Sequence, residues 1–221
     1  RFKLKYADTQ IDSRFDSTRE KLRRMDIAQR ICEAFDEVLS WAGKELIWDA
    51  EVKHSVRDIS VPRRLVAQEL YEDALVELPK LEQAGFVATG DAKKDYIANT
   101  TRMSGISRYK RIIQRYEDQQ KEPNTKVELH TIRIGDIAFA SNPFELYIDY
   151  QHRIQARSPF LQTFIVQLCA QPNGNYSSGY LATERAVANV GYSAAIYDNQ
   201  VAPEGGNALV EETLKDLQTL C

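Results

Sequence analysis

An α/β fold, or an α+β one, with a mixed sheet and flanking helices is predicted by three observations. Long stretches repeat apolar residues at helical spacing, short runs alternate or are rich in Ile, Val and Phe, and the two kinds interleave along the chain. Helical patterns dominate residues 1–125, with one or two strands among them. Residues 126–221 change to a hairpin, a helix, a further strand, a tyrosine-rich loop and a last helix. The two parts are expected to form one continuous piece of a domain.

The first helix is expected over Ser17 to Ala42, where Leu22, Met25, Ile27, Ala28, Ile31, Ala34, Phe35, Val38 and Leu39 recur at three and four. Asp16 or Ser17 can cap it, Glu20 stands at capping-box spacing from Ser17, and Gly43 can end it. The Ile- and Val-rich interval from Leu46 to Val61 predicts a strand stopped by Pro62. Val66 to Ala84 returns to helical spacing, with Pro79 expected to end or kink it. Lys93 to Gln120 forms a third helical stretch in which Gly105 weakens continuity. Its basic patch, Lys110, Arg111 and Arg115, could bind phosphate or nucleic acid, but is expected as an ordinary solvated helix face.

Lys126 to Ile134 then alternates, with Val127, Leu129, Thr131 and Arg133 on one side and Glu128, His130 and Ile132 on the other. Gly135-Asp136 and the apolar run Ile137 to Ala140 complete a β-hairpin signature. Asn142-Pro143 breaks that strand, so Glu145 to Ala156 is expected as a helix beginning directly after it. Phe160 to Leu168 reads as a strand and Ala208 to Leu220 as a closing amphipathic helix. The irregular stretch between them is rich in Asn, Gly, Ser, Tyr and Pro.

Composition narrows the function classes. Of 221 residues 29 are basic and 32 acidic, a net charge of −3, which lacks the basic footprint of a nucleic-acid binder. A chain 43% hydrophobic and 28% charged is neither a disordered tail nor a membrane protein, and no apolar run approaches the roughly 20 residues of a transmembrane segment. No signal-peptide pattern opens it, and a start at Arg1 predicts a piece of a longer polypeptide. Cys32, Cys169 and Cys221 have no zinc-ribbon spacing and read as small buried or terminal thiols.

Three places could carry chemistry. Glu145 stands where a strand ends, the end at which α/β sheets place ligands, although a helix dipole would favour a carboxylate there in any case. The loop from Asn173 to Tyr180 combines turn-forming Gly174 and Gly179 with the phenols of Tyr176 and Tyr180, as either a functional or a packed tyrosine-rich loop. His54, His130 and His152 are scattered without ligand spacing. No Gly-x-Ser-x-Gly elbow or Walker phosphate loop is found.

Several segments of the second half nevertheless resemble one family. Ile134-Gly-Asp-Ile-Ala-Phe-Ala-Ser-Asn-Pro-Phe-Glu145 resembles the segment in which the neutral/alkaline, non-lysosomal ceramidases carry Ile-Gly-Asp, a short apolar strand and Pro-x-Glu. Tyr180-Leu-Ala-Thr183 resembles their Tyr-x-x-Thr, and Gly191-Tyr192-Ser-Ala-Ala195 resembles their Arg-Tyr-Glu-Ala-Ala-Ser. Ala202-Pro-Glu-Gly-Gly206 before a helix is similar to the close of their catalytic domain. The likeness covers residues 126–220.

The resemblance implies the C-terminal portion of a larger catalytic domain that hydrolyses the N-acyl amide of ceramide with zinc-activated water. It implies Glu145 and Tyr180 as metal ligands and Tyr192 as the oxyanion donor, or the two tyrosines with roles exchanged. The family's two zinc histidines and its serine segment have no counterpart here, so no metal role passes to His54, His130 or His152. Gly179 replaces a histidine often found before the loop tyrosine, and Gly191 replaces the basic residue before the later one. The implied partners are the N-terminal half of the same protein, or a second chain, and a lipid-like amide. The implied location is secreted or periplasmic. Two other functions fit the residues: a non-catalytic protein of the same fold binding a lipid, carbohydrate or protein with its tyrosine loop, and a helical interaction domain using the Lys93 to Gln120 face. The last expects Glu145, Tyr180 and Tyr192 to lie far apart.

Overall fold

The computed structural model describes residues 16–169 and 179–221. Two units make up the chain, residues 1–50 and 51–221. In the first, helix α1 (Asp16–Ala42) forms as its apolar spacing predicts. Its stripe of Ile27, Ile31, Phe35, Val38 and Trp41 is exposed, as are Leu46, Ile47 and Trp48 after it. Cys32, expected among buried neighbours, is exposed with the stripe.

The second unit is built on a four-stranded sheet in the order β1-β2-β3-β5. Strands β1 (Val52–Pro62) and β2 (Asn124–Ile134) pair antiparallel along their whole length, Val52 opposite Ile134 and Pro62 opposite Asn124. The sheet thus begins at Val52, later than Leu46. Strand β3 (Ile137–Ser141) folds back from β2 through Gly135-Asp136, with Gly135 at a φ of 56°, the left-handed conformation this two-residue turn demands. Strand β5 (Gln162–Val166) then joins β3 in parallel, making the sheet mixed.

Alternation along β2 sorts its side chains as predicted. Val127, Leu129 and Thr131 are buried beneath helices α4 (Ile148–Gln155) and α6 (Pro203–Thr219). Val127 and Leu129 share one core with Ile59 and Val61 of β1, Tyr150 and Ile154 of α4, and Leu209, Val210, Leu214 and Leu217 of α6. Each such Leu or Ile stabilises the fold by roughly 1.5–3 kcal/mol. Arg57 ties β1 to α6 through Asp216 at 2.7 Å and Glu212 at 2.8 Å. The glycine pair that opens α6 is a packing requirement: a Cβ on Gly206 would lie 2.3 Å from the Tyr150 ring. The opposite face of the sheet keeps Val52, Val56, Ile134, Phe164 and Val166 exposed.

Helices α2 (Gln68–Gln83) and α3 (Ala92–Lys121) form a hairpin between β1 and β2. Two expectations change here. Pro79 lies inside α2 without ending it, and Arg102 of α3 donates to the Leu81 and Glu82 carbonyls in the last turn. Gly105 leaves α3 unbroken and marks where the helices touch, since a Cβ there would meet Leu81 at 2.8 Å. Val66, Ala74 and Ile112 form the small core of this hairpin, against which Ile196 and Tyr197 pack.

A third change concerns Glu145. It stands not at a helix start but in a two-residue strand, β4 (Glu145–Leu146), parallel to β6 (Tyr180–Leu181). Helix α4 begins only at Ile148. The irregular stretch also contains α5 (Glu184–Ala188) and two 3-10 turns, and α6 starts at Pro203 rather than Ala208. Asn173, Gly174 and Tyr176 of the expected loop lie outside the described residues.

Candidate active site

Pairing of β4 with β6 makes Glu145 and Tyr180 direct neighbours. The Glu145 amide donates to the Gly179 carbonyl at 3.0 Å, and the Tyr147 amide to Leu181 at 3.3 Å. Gly179 has a φ of 69° and bridges Asn199, and a Cβ on it would lie 2.1 Å from the Asp198 carbonyl oxygen. Only glycine fits this approach, which accounts for its place before the tyrosine. Three residues on, the Thr183 hydroxyl accepts from the Ala186 amide and caps α5. The Tyr-x-x-Thr segment is therefore a strand carrying a phenol, followed by a helix cap.

A cavity of about 460 Å³ opens over this pair, lined by Glu145, Tyr180, Tyr192, Tyr197, Asp198 and Arg111, among others. Tyr192 begins a 3-10 turn, is 74% exposed, and sets its ring edge-on to Tyr180 with centroids 6.0 Å apart. Its neighbour Ser193 bonds the Tyr147 hydroxyl at 2.6 Å, fixing the turn to the end of β4. A hydrogen bond to the Glu145 carboxylate, helped by desolvation and the same negative charge, pushes the Tyr180 phenol up to about 12. The raised value keeps the phenol protonated at neutral pH, donating to Glu145.

Arginines hold the far wall. Arg64 donates to the Ala194 carbonyl at 2.6 Å and to the Asn199 side chain at 2.7 Å. The fully buried Asn199 donates in turn to the Ser193 carbonyl at 2.7 Å. Arg115 donates to the carbonyls of Ile196 and Arg64. Burial first, then the charges of Arg64, Arg111 and Arg63, lower Arg115 to about 10. Part of the patch expected as a solvated face is thus a brace for the Tyr192–Asn199 turns. Arg111, one turn before Arg115, borders the cavity itself.

The structure thus brings Glu145, Tyr180 and Tyr192 to one cavity, against the expectation of a helical interaction domain. The histidines lie elsewhere. On the exposed sheet face His54 Nε2 is 3.1 Å from His130 Nδ1, and His130 Nε2 is 2.7 Å from Glu128. His130 borders a separate cavity of about 360 Å³ with Phe139, Val166 and Cys169. His152 is on the exposed side of α4. Among the described residues no group of three or more His, Cys, Asp or Glu could hold a metal ion. The sequence did not single out Arg111, Tyr197 or Asp198 as cavity residues. The basic patch was the one available signal, and only pairing of distant segments gives it a place.

No family model matches the chain, and no curated protein matches it. Among solved structures, the crystal structure of neutral ceramidase from Pseudomonas aeruginosa is similar, with a TM-score of 0.51 and 15% identity. The match covers 99% of this chain and 35% of that one, so the chain spans little more than a third of its length. At that identity the likeness is one of fold.

Proposed function

We propose that this chain carries part of the active site of a zinc-dependent amidohydrolase resembling neutral ceramidase, acting on the N-acyl amide of a ceramide-like lipid. The observation that carries this reading is Glu145 beside Tyr180 on paired parallel strands, with Tyr192 edge-on in the same cavity. The fold likeness supports it. Two oxygen donors that share a proton fit a cation, which favours an anionic carboxylate and phenolate in place of that proton. Glu145 and Tyr180 would hold the metal, which when bound supplies a water of lowered pKa and polarises the scissile carbonyl. The Tyr192 phenol donates a hydrogen bond to the oxygen that gains negative charge as the amide is attacked.

Two protein ligands fall short of the three or four that zinc takes. The others come from the N-terminal half of the same protein or from a second chain. The exposed apolar stripe of α1 and the exposed apolar residues of the sheet support such a partner, since monomers rarely leave surfaces of this kind uncovered. Among the described residues no helix is long and apolar enough to cross a membrane. By family resemblance the protein is secreted or periplasmic.

Zinc titration of the full chain by calorimetry, alone and with the complementary polypeptide, tests this reading. Weak binding alone and stoichiometric binding with N-acyl amide hydrolysis in the complex are expected, Glu145→Gln lowering turnover about 100-fold or more. Glu145→Gln that keeps zinc and turnover overturns it. The second reading, a non-catalytic binder of the same fold, is favoured by the exposure of Tyr192 beside Tyr180 and Tyr197, a surface suited to stacking on a sugar or lipid. It expects ligand binding without metal or turnover.

A further inference from the structure

Four arginines, Arg64, Arg108, Arg111 and Arg115, reach the Tyr192–Asn199 turns, and a fifth, Arg63, lies near Arg115. Among the described residues none of them forms an ion pair with a carboxylate. Four spend their donors or ring contacts on the protein itself. Arg63 bonds the Glu122 and Asn124 carbonyls, Arg64 and Arg115 brace the turns, and the Arg108 guanidinium stacks 4.6 Å over the Tyr197 ring. Arg111 differs. It gives one long hydrogen bond, 3.3 Å, to the Tyr197 carbonyl, and its side chain is exposed.

Arg111 also stands at a boundary. Together with Asp198 it lines both the cavity of Glu145 and Tyr180 and a neighbouring groove of about 540 Å³. That groove runs over α3 past Met103, Ser107 and Arg108 to Phe86. A molecule lying across both must pass the Arg111 guanidinium. Two arginines, Arg108 and Arg111, and two carboxylates, Glu145 and Asp198, are in the lining of the cavity and groove, and Glu145 is engaged by the Tyr180 phenol.

We propose that the site takes a substrate carrying an anionic group, bound by Arg111 where the cavity meets the groove. Resting on the hydrolase reading above, this makes the substrate class an N-acyl amide whose amine portion bears a carboxylate or phosphate. A guanidinium fork with free donors suits either group, and a charge-assisted bond there is worth about tenfold in affinity. A neutral amino alcohol gains nothing from it.

Calorimetric titration of the full chain with N-hexanoylglycine, N-hexanoyl-phosphoethanolamine and neutral N-hexanoylethanolamine tests the proposal without metal or turnover. At least one anionic compound is expected to bind about tenfold tighter than the neutral one. Which one does so separates a carboxylate from a phosphate. Arg111→Gln abolishes that preference, Arg111→Lys keeps part of it, and rising salt weakens it. Equal binding of all three compounds, binding of none, or a preference that survives Arg111→Gln overturns the proposal. Arg111→Gln should unfold at the wild-type temperature, which excludes a folding defect. Failure of the hydrolase reading appears separately, as absent zinc binding and turnover with the anion preference intact.

Discussion

The two faces of the β1-β2-β3-β5 sheet arise from one alternation and end in opposite states. Ile59, Val61, Val127 and Leu129 point toward α4 and α6 and are at most 4% exposed. One residue along, Val52, Val56, Ile134, Phe164 and Val166 are 39–65% exposed. That second face is not built for water, because its aliphatic and aromatic members lie side by side, Phe139 stacked on Phe164 at 5.0 Å. Three of its polar members, His54, His130 and Glu128, bond one another. Burial in this sheet therefore follows from which layer covers a face, and hydrophobicity alone does not decide it.

The largest expected effect breaks the covered face. Leu209→Ala should cost about 2–5 kcal/mol, since Leu209 is 1% exposed and its neighbours cannot collapse around the gap. Phe164→Ala removes a larger side chain that is 43% exposed and should cost under about 1 kcal/mol. Urea unfolding of both variants measures the difference. Equal costs would show the second face already packed in solution, and a dependence on protein concentration would identify self-association as the cause.

The same contrast holds for charge. Asp216 is 6% exposed, and its one ion-pair partner among the described residues is Arg57. Arg57→Met leaves that carboxylate without its countercharge and should cost about 1–3 kcal/mol, less than for a fully buried pair because Arg57 is partly solvated. His130→Val removes a bonded imidazole from the exposed face and should change stability by no more than about 0.5 kcal/mol. A larger loss for His130→Val would mean that the histidine pair is structural.

How much of this was legible in the sequence depended on the range of the interactions. The β2–β3 hairpin was readable because its alternation and its Gly135-Asp136 turn are local. So were α1, α2 and α3. Glu145 was misplaced onto a helix because its strand exists only through Tyr180, 35 positions later, and no local pattern reports a two-residue parallel pair. Pro79 and Gly105 are read by their ordinary local effects, whereas both lie inside unbroken helices whose mutual contact, Gly105 against Leu81, is not local in sequence. Glu145 and Tyr180 stand out locally, at a strand end and on a Gly-rich loop, while their roles and the choice of Tyr192 rest on resemblance in short segments. Arg111 could not come that way, since the α2–α3 hairpin that delivers it lies outside those segments.

The last contrast concerns a group on neither face, at the end of the short strands, and its effect on stability is the smallest. Tyr180 is held at about 12, above the usual phenol value near 10, chiefly by its hydrogen bond to Glu145. A raised folded value favours the neutral phenol. Its contribution to stability is complete below about pH 10 and disappears as pH rises through about 12. Ultraviolet titration near 295 nm, subtracting a Tyr180→Phe variant, isolates this one among 11 tyrosines. The difference should show no phenolate until well above pH 10, and Glu145→Gln should bring the midpoint back toward 10. Zinc should draw it lower still if Tyr180 is a ligand, because a cation replaces the proton. A midpoint that ignores zinc but follows Glu145→Gln would leave the strand pair intact and remove Tyr180 from the metal.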